Sequence, residues 1–186
     1  MKLAAEVDSL REQLFAERAK VAELETRIDE DPLTGLLNRR GFMKELARTL
    51  AYARRYRAAA ALLFLDLDGF KAVNDTHGHA AGDWALGRAG RLIAGAVRAS
   101  DIVARIGGDE FAVLLWNLNE AQALAKARAL ETLIAESPFE RKRDANCRLG
   151  LSAGLTMLRD GDTGESALAR ADEAMYARKR ERKQGS

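Results

Sequence analysis

Two stretches of this 186-residue chain set acids where strands are expected to end. In the first, L-F-L-D-L-D-G-F-K, an apolar run passes directly into Asp66 and Asp68. In the second, R-I-G-G-D-E-F at Arg105 to Phe111, Asp109 and Glu110 follow a glycine pair between two apolar segments. Alternation along a strand gives Asp66 and Asp68 one face and turns Leu67 to the other. If the segment bearing Asp109 lies beside the first, three carboxylates share one sheet edge, and their repulsion calls for a cation. Hard oxygen donors in a chain with one cysteine and two histidines favour magnesium or manganese over zinc. Magnesium fills its remaining positions with water and phosphate oxygens, so the matching chemistry is phosphoryl or nucleotidyl transfer. Plainer readings exist: Asp66 and Asp68 as caps of a following helix, and Gly107-Gly108 as a type I′ hairpin turn with both glycines at positive φ and the acids merely solvated. Gly69-Phe70-Lys71 favours the site. There a glycine-opened backbone, a helix start and a cation can together receive phosphate oxygens.

The elements that must position these acids follow from the apolar pattern. Ala58 to Asp66 is a continuous apolar run, as in a buried central strand. Ile102 to Trp116 reads as a hairpin and Cys147 to Leu158 as a strand. Helices are predicted over Arg39 to Arg57, Ala81 to Ala99, Glu120 to Glu136 and Glu165 to Arg182, with a short helix and loop between Asp68 and His79. Helices alternating with strand pairs give an α+β sheet with helices packed on it. Strand alternation also turns Glu110 to the other face of the hairpin from Asp109. Ahead of all this, Leu3, Val7, Leu10, Leu14, Val21, Leu24 and Ile28 fall in steps of four and three, interrupted at Glu17. That heptad seam predicts a parallel two-stranded coiled coil over residues 1–29, leaving 30–186 as one domain. An amphipathic helix packed on its own domain is the alternative. Asp31-Pro32 ends the helix, because a residue before proline is driven from the α region.

Composition narrows the function classes. Thirty basic and twenty-eight acidic residues give a net charge of +2, which excludes a broad nucleic-acid-binding surface and leaves any anion site local. A lone Cys147 forms no internal disulfide and fits a reducing compartment. No run approaches a membrane span and the amino terminus lacks a signal-type apolar core, so a soluble cytoplasmic protein is expected.

R-I-G-G-D-E-F, the segment Leu65 to Asp75, H-G-H-A-A-G-D at His77 to Asp83, and D-P-L-T-G-L-L-N-R-R at Asp31 to Arg40 together resemble the signature segments of the GGDEF family of diguanylate cyclases. The likeness runs from about Asp31 to Lys179. It implies a polymerase-palm or adenylyl-cyclase-like fold, with a central, mainly antiparallel sheet flanked by helices. It also implies condensation of two GTP molecules to cyclic di-GMP with release of two pyrophosphates. By the same resemblance, the Asp66 and Asp109 side chains and the Leu67 carbonyl hold magnesium. Asp109 is then the base for the attacking 3′-hydroxyl, with Glu110 beside it, and Lys71 stabilises charge on phosphate. Gly107 and Gly108 leave room for the nucleotide, next to Gly69 and Phe70, and Arg105 lies near the site. Asp83 offers a carboxylate to the two donors of guanine, a match that adenine lacks. Asn74 completes that recognition and His79 supports the nucleotide; outside this context Asn74 reads as an Asx-turn and Asp83 as a helix cap.

Lys179 aligns with a lysine that holds terminal phosphates. The glycine-arginine-asparagine that usually follows is replaced by E-R-K-Q, so Lys183 stands in for an arginine without its bidentate fork. Arg98 and Asp101 match an RxxD site at which the family binds its product, against the plainer reading of a surface arginine and a turn aspartate. Because each domain holds one nucleotide, two must face each other, and the coiled coil supplies the homodimer. Two other readings remain: a catalytically silent domain that binds cyclic di-GMP and signals by contact, and a simple dimerisation module.

Overall fold

The computed structural model describes residues 13–15, 28–140 and 146–184, with backbone alone at 140, 146–147 and 181–184. Apart from Gln13 to Phe15, which are helical and exposed, and the end of the segment at Ile28 and Asp29, the expected coiled coil lies outside the described residues. In chain order the elements are α1 (Arg39–Tyr56), β1 (Ala60–Asp68), α2 (Phe70–His77), α3 (His79–Gly95), β2 (Ile102–Arg105), β3 (Glu110–Trp116), α4 (Glu120–Glu136), β4 (Phe139–Glu140), β5 (Asn146–Cys147), β6 (Gly150–Met157) and α5 (Gly164–Gln184). Four strands form an antiparallel sheet in the order β2-β3-β1-β6. Among the described residues, no helix is long and apolar enough to cross a membrane.

Strand alternation sorts the core into two layers. Leu63, Leu65 and Leu67 of β1, with Phe111 and Val113 of β3, pack on Ala85, Ala89 and Ile93 of α3 and on Ala127, Leu130 and Ile134 of α4. On the other face Leu62, Phe64, Ala112 and Leu114 meet Phe42 and Leu46 of α1 and Ala167, Ala171 and Met175 of α5. Helices on both sides leave β1 without a wet face, which is why its sequence is apolar at every position until Asp66. Full burial of each such leucine or phenylalanine stabilises the fold by roughly 1.5–3 kcal/mol.

Local chemistry fixes the helix starts. Asn38 caps α1 by accepting from Gly41 N at 3.0 Å. At α4, Asn119 and Gln122 cap each other's backbone in a capping box. The sheet edge at β6 is covered from both flanking helices: Glu131 of α4 accepts from Ala153 N at 3.1 Å, and Arg178 of α5 donates to Ala153 O at 2.9 Å and to Glu131 at 3.3 Å.

Two local expectations differ. The strand over Cys147 to Leu158 is interrupted: Asn146–Cys147 pairs with Phe139–Glu140 in a separate ladder, and β6 begins only at Gly150. The glycine turn is not type I′, since neither Gly107 nor Gly108 has positive φ. Four residues, Ile106 to Asp109, link β2 to β3, and this longer loop needs no left-handed pair; Ile106 N donates to Glu110 O at 3.0 Å.

Candidate active site

The acids meet at one end of the sheet. Asp66 of β1 is the cross-strand partner of Glu110, and Leu67 N donates to the Asp109 carbonyl at 3.1 Å, so the glycine loop lies against the end of β1. Directly opposed residues in an antiparallel pair share a face. Glu110, expected to turn away, therefore stands beside Asp66 on the side covered by α5. Neither Asp66 nor Asp68 caps α2, whose cap is Gly69 at φ 86°, a left-handed conformation that glycine adopts without strain.

A single cation reaches both acids of β1. Lys179 Nζ pairs with Asp66 Oδ1 and lies 3.2 Å from Asp68 Oδ1, while Ser152 Oγ donates to Asp68 Oδ2 at 2.7 Å. Burial lowers the affinity of Lys179 for its proton, but the two aspartates outweigh it and hold the pKa above the usual lysine value. Partial burial pushes the Asp109 carboxyl up, and the charge of Asp66 adds to this against Lys179 and Arg105. Glu110 is raised by burial, then by Asp172, Asp109 and Asp66.

Asp66 and Asp109 thus repel each other across a half-buried edge, with hard oxygens as donors. This arrangement fits a divalent cation of the magnesium type. Among the described residues, no three acidic, histidine or cysteine side chains form a cage for an ion. Magnesium suits such a place because it takes few protein ligands and keeps water and phosphate oxygens for the rest.

Arg105 is directed at the protein. Its Nε and Nη2 donate to Gly108 O at 3.0 and 2.8 Å, and its Nη1 donates to Asp31 Oδ2 at 3.0 Å. Asp31 also accepts from Thr34 N and Thr34 Oγ1. Arg105 therefore ties the glycine loop to the loop preceding α1. A Cβ at Gly107 would overlap the Glu110 carboxylate, so this glycine makes room for Glu110, whereas Gly108 faces open space.

Helices α2 and α3 make a corner beside the end of β1. Lys71, His79 and Asp83 are exposed there, with Phe70 and Asn74 half-buried. A Cβ at Gly82 would overlap Asn74 Oδ1 and approach Phe70, so Gly82 lets Asn74 lie against α3 at the residue preceding Asp83.

The remaining expected residues lie elsewhere. Lys183 is in α5, at a position whose side chain is not described. Arg98 and Asp101 sit before β2, where Asp101 accepts from Arg98 N at 3.0 Å and from Trp116 N at 3.2 Å, as a turn aspartate does. The Arg98 side chain is exposed and lines a cleft with Tyr52, Ser100 and Trp116.

Sequence reasoning missed Gly82, Gly154, Arg178 and Glu131. A glycine inside a helix or strand was the available signal for the first two, because it marks close approach of another element. A Cβ at Gly154 would overlap the Ala171 carbonyl and the Met175 amide, which sets α5 directly on β6.

A family model described as "Diguanylate cyclase, GGDEF domain" matches residues 28–185. The chain is 38% identical over 182 residues to diguanylate cyclase TpbB of Pseudomonas aeruginosa, covering 96% of this chain and 41% of that protein. It is 37% identical over 163 residues to the probable diguanylate cyclase DgcE of Escherichia coli, covering 87% and 15% respectively. The chain thus spans well under half the length of these curated relatives. Among solved structures, the coiled coil and GGDEF domain of DgcB from Caulobacter crescentus in complex with c-di-GMP superposes with a TM-score of 0.85 at 27% identity, covering 97% of this chain and 95% of that one. The GGDEF domain of TpbB superposes at 0.77 with 41% identity, covering 82% and 89%.

Proposed function

We propose, since the chain belongs to the GGDEF-domain family of diguanylate cyclases, that it condenses two GTP molecules to cyclic di-GMP and two pyrophosphates. The observation that carries this reading is the meeting of Asp66, Asp109 and Glu110 at one end of the sheet, beside the corner of α2 and α3 that bears Asn74 and Asp83. The Asp66 and Asp109 carboxylates and the Leu67 carbonyl would hold a divalent ion, which would supply charge neutralisation for the triphosphate. Asp109 takes the proton of the attacking 3′-hydroxyl. The 3′-oxygen bonds to the α-phosphorus of the facing nucleotide, the bond from that phosphorus to the bridging oxygen breaks, and pyrophosphate leaves with the electron pair. A second identical step closes the ring. Lys71, on the first turn of α2, and Lys179 meet the charge of the phosphates, while Asp83 and Asn74 select guanine. Gly69 and Gly108 leave the approach open, and His79 borders it.

Each domain presents one such set, so the reaction needs two domains face to face. A homodimer through the heptad segment of residues 1–29 brings them together by raising the local concentration of the second half-site. Incubating the protein with magnesium and GTP, and separately ATP, then resolving the products by chromatography, tests the proposal. Cyclic di-GMP from GTP alone is expected. Its absence, together with retained cyclic di-GMP binding, would establish the silent module instead.

Arg98 and Asp101 are proposed to bind product as a brake on turnover. Asp101 already serves its own turn, so the exposed Arg98 guanidinium is the group free to meet phosphate or a guanine edge. Arg98→Ala is expected to leave the initial rate unchanged and abolish the slowing that accompanies product accumulation. A progress curve that slows equally in parent and variant would refute this role.

A further inference from the structure

Lys179 and its neighbour Arg178 are held in different ways. Arg178 is anchored to the β6 edge through Ala153 O and to Glu131 of α4, which pins the α5 backbone at this turn. Lys179 points instead into the site, where its ammonium lies on Asp66 and Asp68. With the backbone pinned, Lys179 can leave the acids by rotation of its own four-carbon stem. Asp68 keeps a second partner in Ser152 when that happens. The Asp66 carboxylate is the same group that would hold a divalent ion. An ammonium and a divalent cation at one carboxylate repel each other strongly in a partly desolvated place, so the two compete for it.

We propose that Lys179 is an exchangeable counter-ion which couples metal and nucleotide binding. It occupies the β1 acids until a triphosphate offers it another anion, and its departure opens Asp66 to the ion. The inference rests on the reading of Asp66 as a metal ligand. It implies that the ion alone binds weakly and that ion and nucleotide strengthen each other's binding by the same factor, since such coupling is reciprocal.

The test is Mn2+ binding to the nucleotide-free protein, read from the free-ion signal in electron paramagnetic resonance. Lys179→Met removes the competing charge and keeps the stem, and is expected to tighten binding of Mn2+ alone at least about tenfold, with Lys179→Gln in the same direction as a check on folding. Asp66→Asn is expected to remove that binding in the parent and in both variants. Binding of Mn2+ that is unchanged or weaker in Lys179→Met and Lys179→Gln, yet still lost in Asp66→Asn, would overturn the counter-ion role alone. Binding that survives Asp66→Asn would overturn the metal site itself.

Discussion

Asp109→Asn is expected to lower cyclic di-GMP formation by about 10²–10⁴-fold, the range associated with loss of a positioned general base. The amide has nearly the shape of the carboxylate, so the glycine loop keeps its contacts: Arg105 still holds Gly108 O, and the Asp109 carbonyl still accepts from Leu67 N. What is lost is a charge, which in the proposed reaction serves as proton acceptor and as oxygen ligand. The same charge burdens the fold. Asp109 is pushed above its ordinary value of 3.8 by burial and by Asp66, against Lys179 and Arg105, with Glu110 raised beside it. A carboxyl that binds its proton more tightly when folded destabilises the protein above its folded pKa, and this penalty disappears as pH falls below the unfolded value. In buffer free of divalent ions, Asp109→Asn is therefore expected to melt above the parent at neutral pH, with the gap closing on acidification towards 3.8. Chromatographic initial rates and thermal melts at several pH values read both effects. Activity within tenfold of the parent would take Asp109 out of the chemistry.

Gly154→Val is expected to damage stability and activity together. Any Cβ at 154 overlaps the Ala171 carbonyl and the Met175 amide, and these are backbone atoms that no rotamer change can move aside. Relief requires α5 to lift from β6, which costs about 1–3 kcal/mol as overpacking. That corresponds to a fall of roughly 2–4 °C in melting temperature per kcal/mol for a domain of this size. Lys179 follows Met175 by one helical turn, so the lift carries it away from Asp66 and Asp68. A displacement of about 1 Å at a reacting centre can reduce rate ~10²-fold, and a loss of that order is expected beyond what unfolding explains. Gly95→Ala is the control, because a Cβ there meets nothing within 4 Å. A Gly154→Val protein with parental melting and turnover would show that the close approach of α5 has no role in placing the site.

The two predictions differ in what made them visible. Asp109 was legible because its type, its glycine neighbours and the strands around it lie within a few residues, and the alternation that sends Asp66 to one face is a property of any strand. The alternation of helices with strand pairs was legible for the same reason, as was the helix over Glu120 to Glu136, whose ends match the predicted ones residue for residue. Glu110 was misplaced because the expectation measured its face against Asp109, a loop residue, instead of against Asp66, its partner in register. The two-residue strands Phe139–Glu140 and Asn146–Cys147 are too short for a period to declare itself.

By itself the sequence determined the order of the elements and the family, and it set the acids of the proposed site where strands end, because these depend on residue type and on spacings of a few positions. Only the tertiary structure decided that Lys179 rests on acids more than a hundred residues earlier, that Arg105 is turned to Gly108 and Asp31, and that Gly154 carries a helix. The physical reason is that a long-range ion pair or a close backbone approach has no local signature: it exists only once packing has brought distant segments within hydrogen-bond or van der Waals distance.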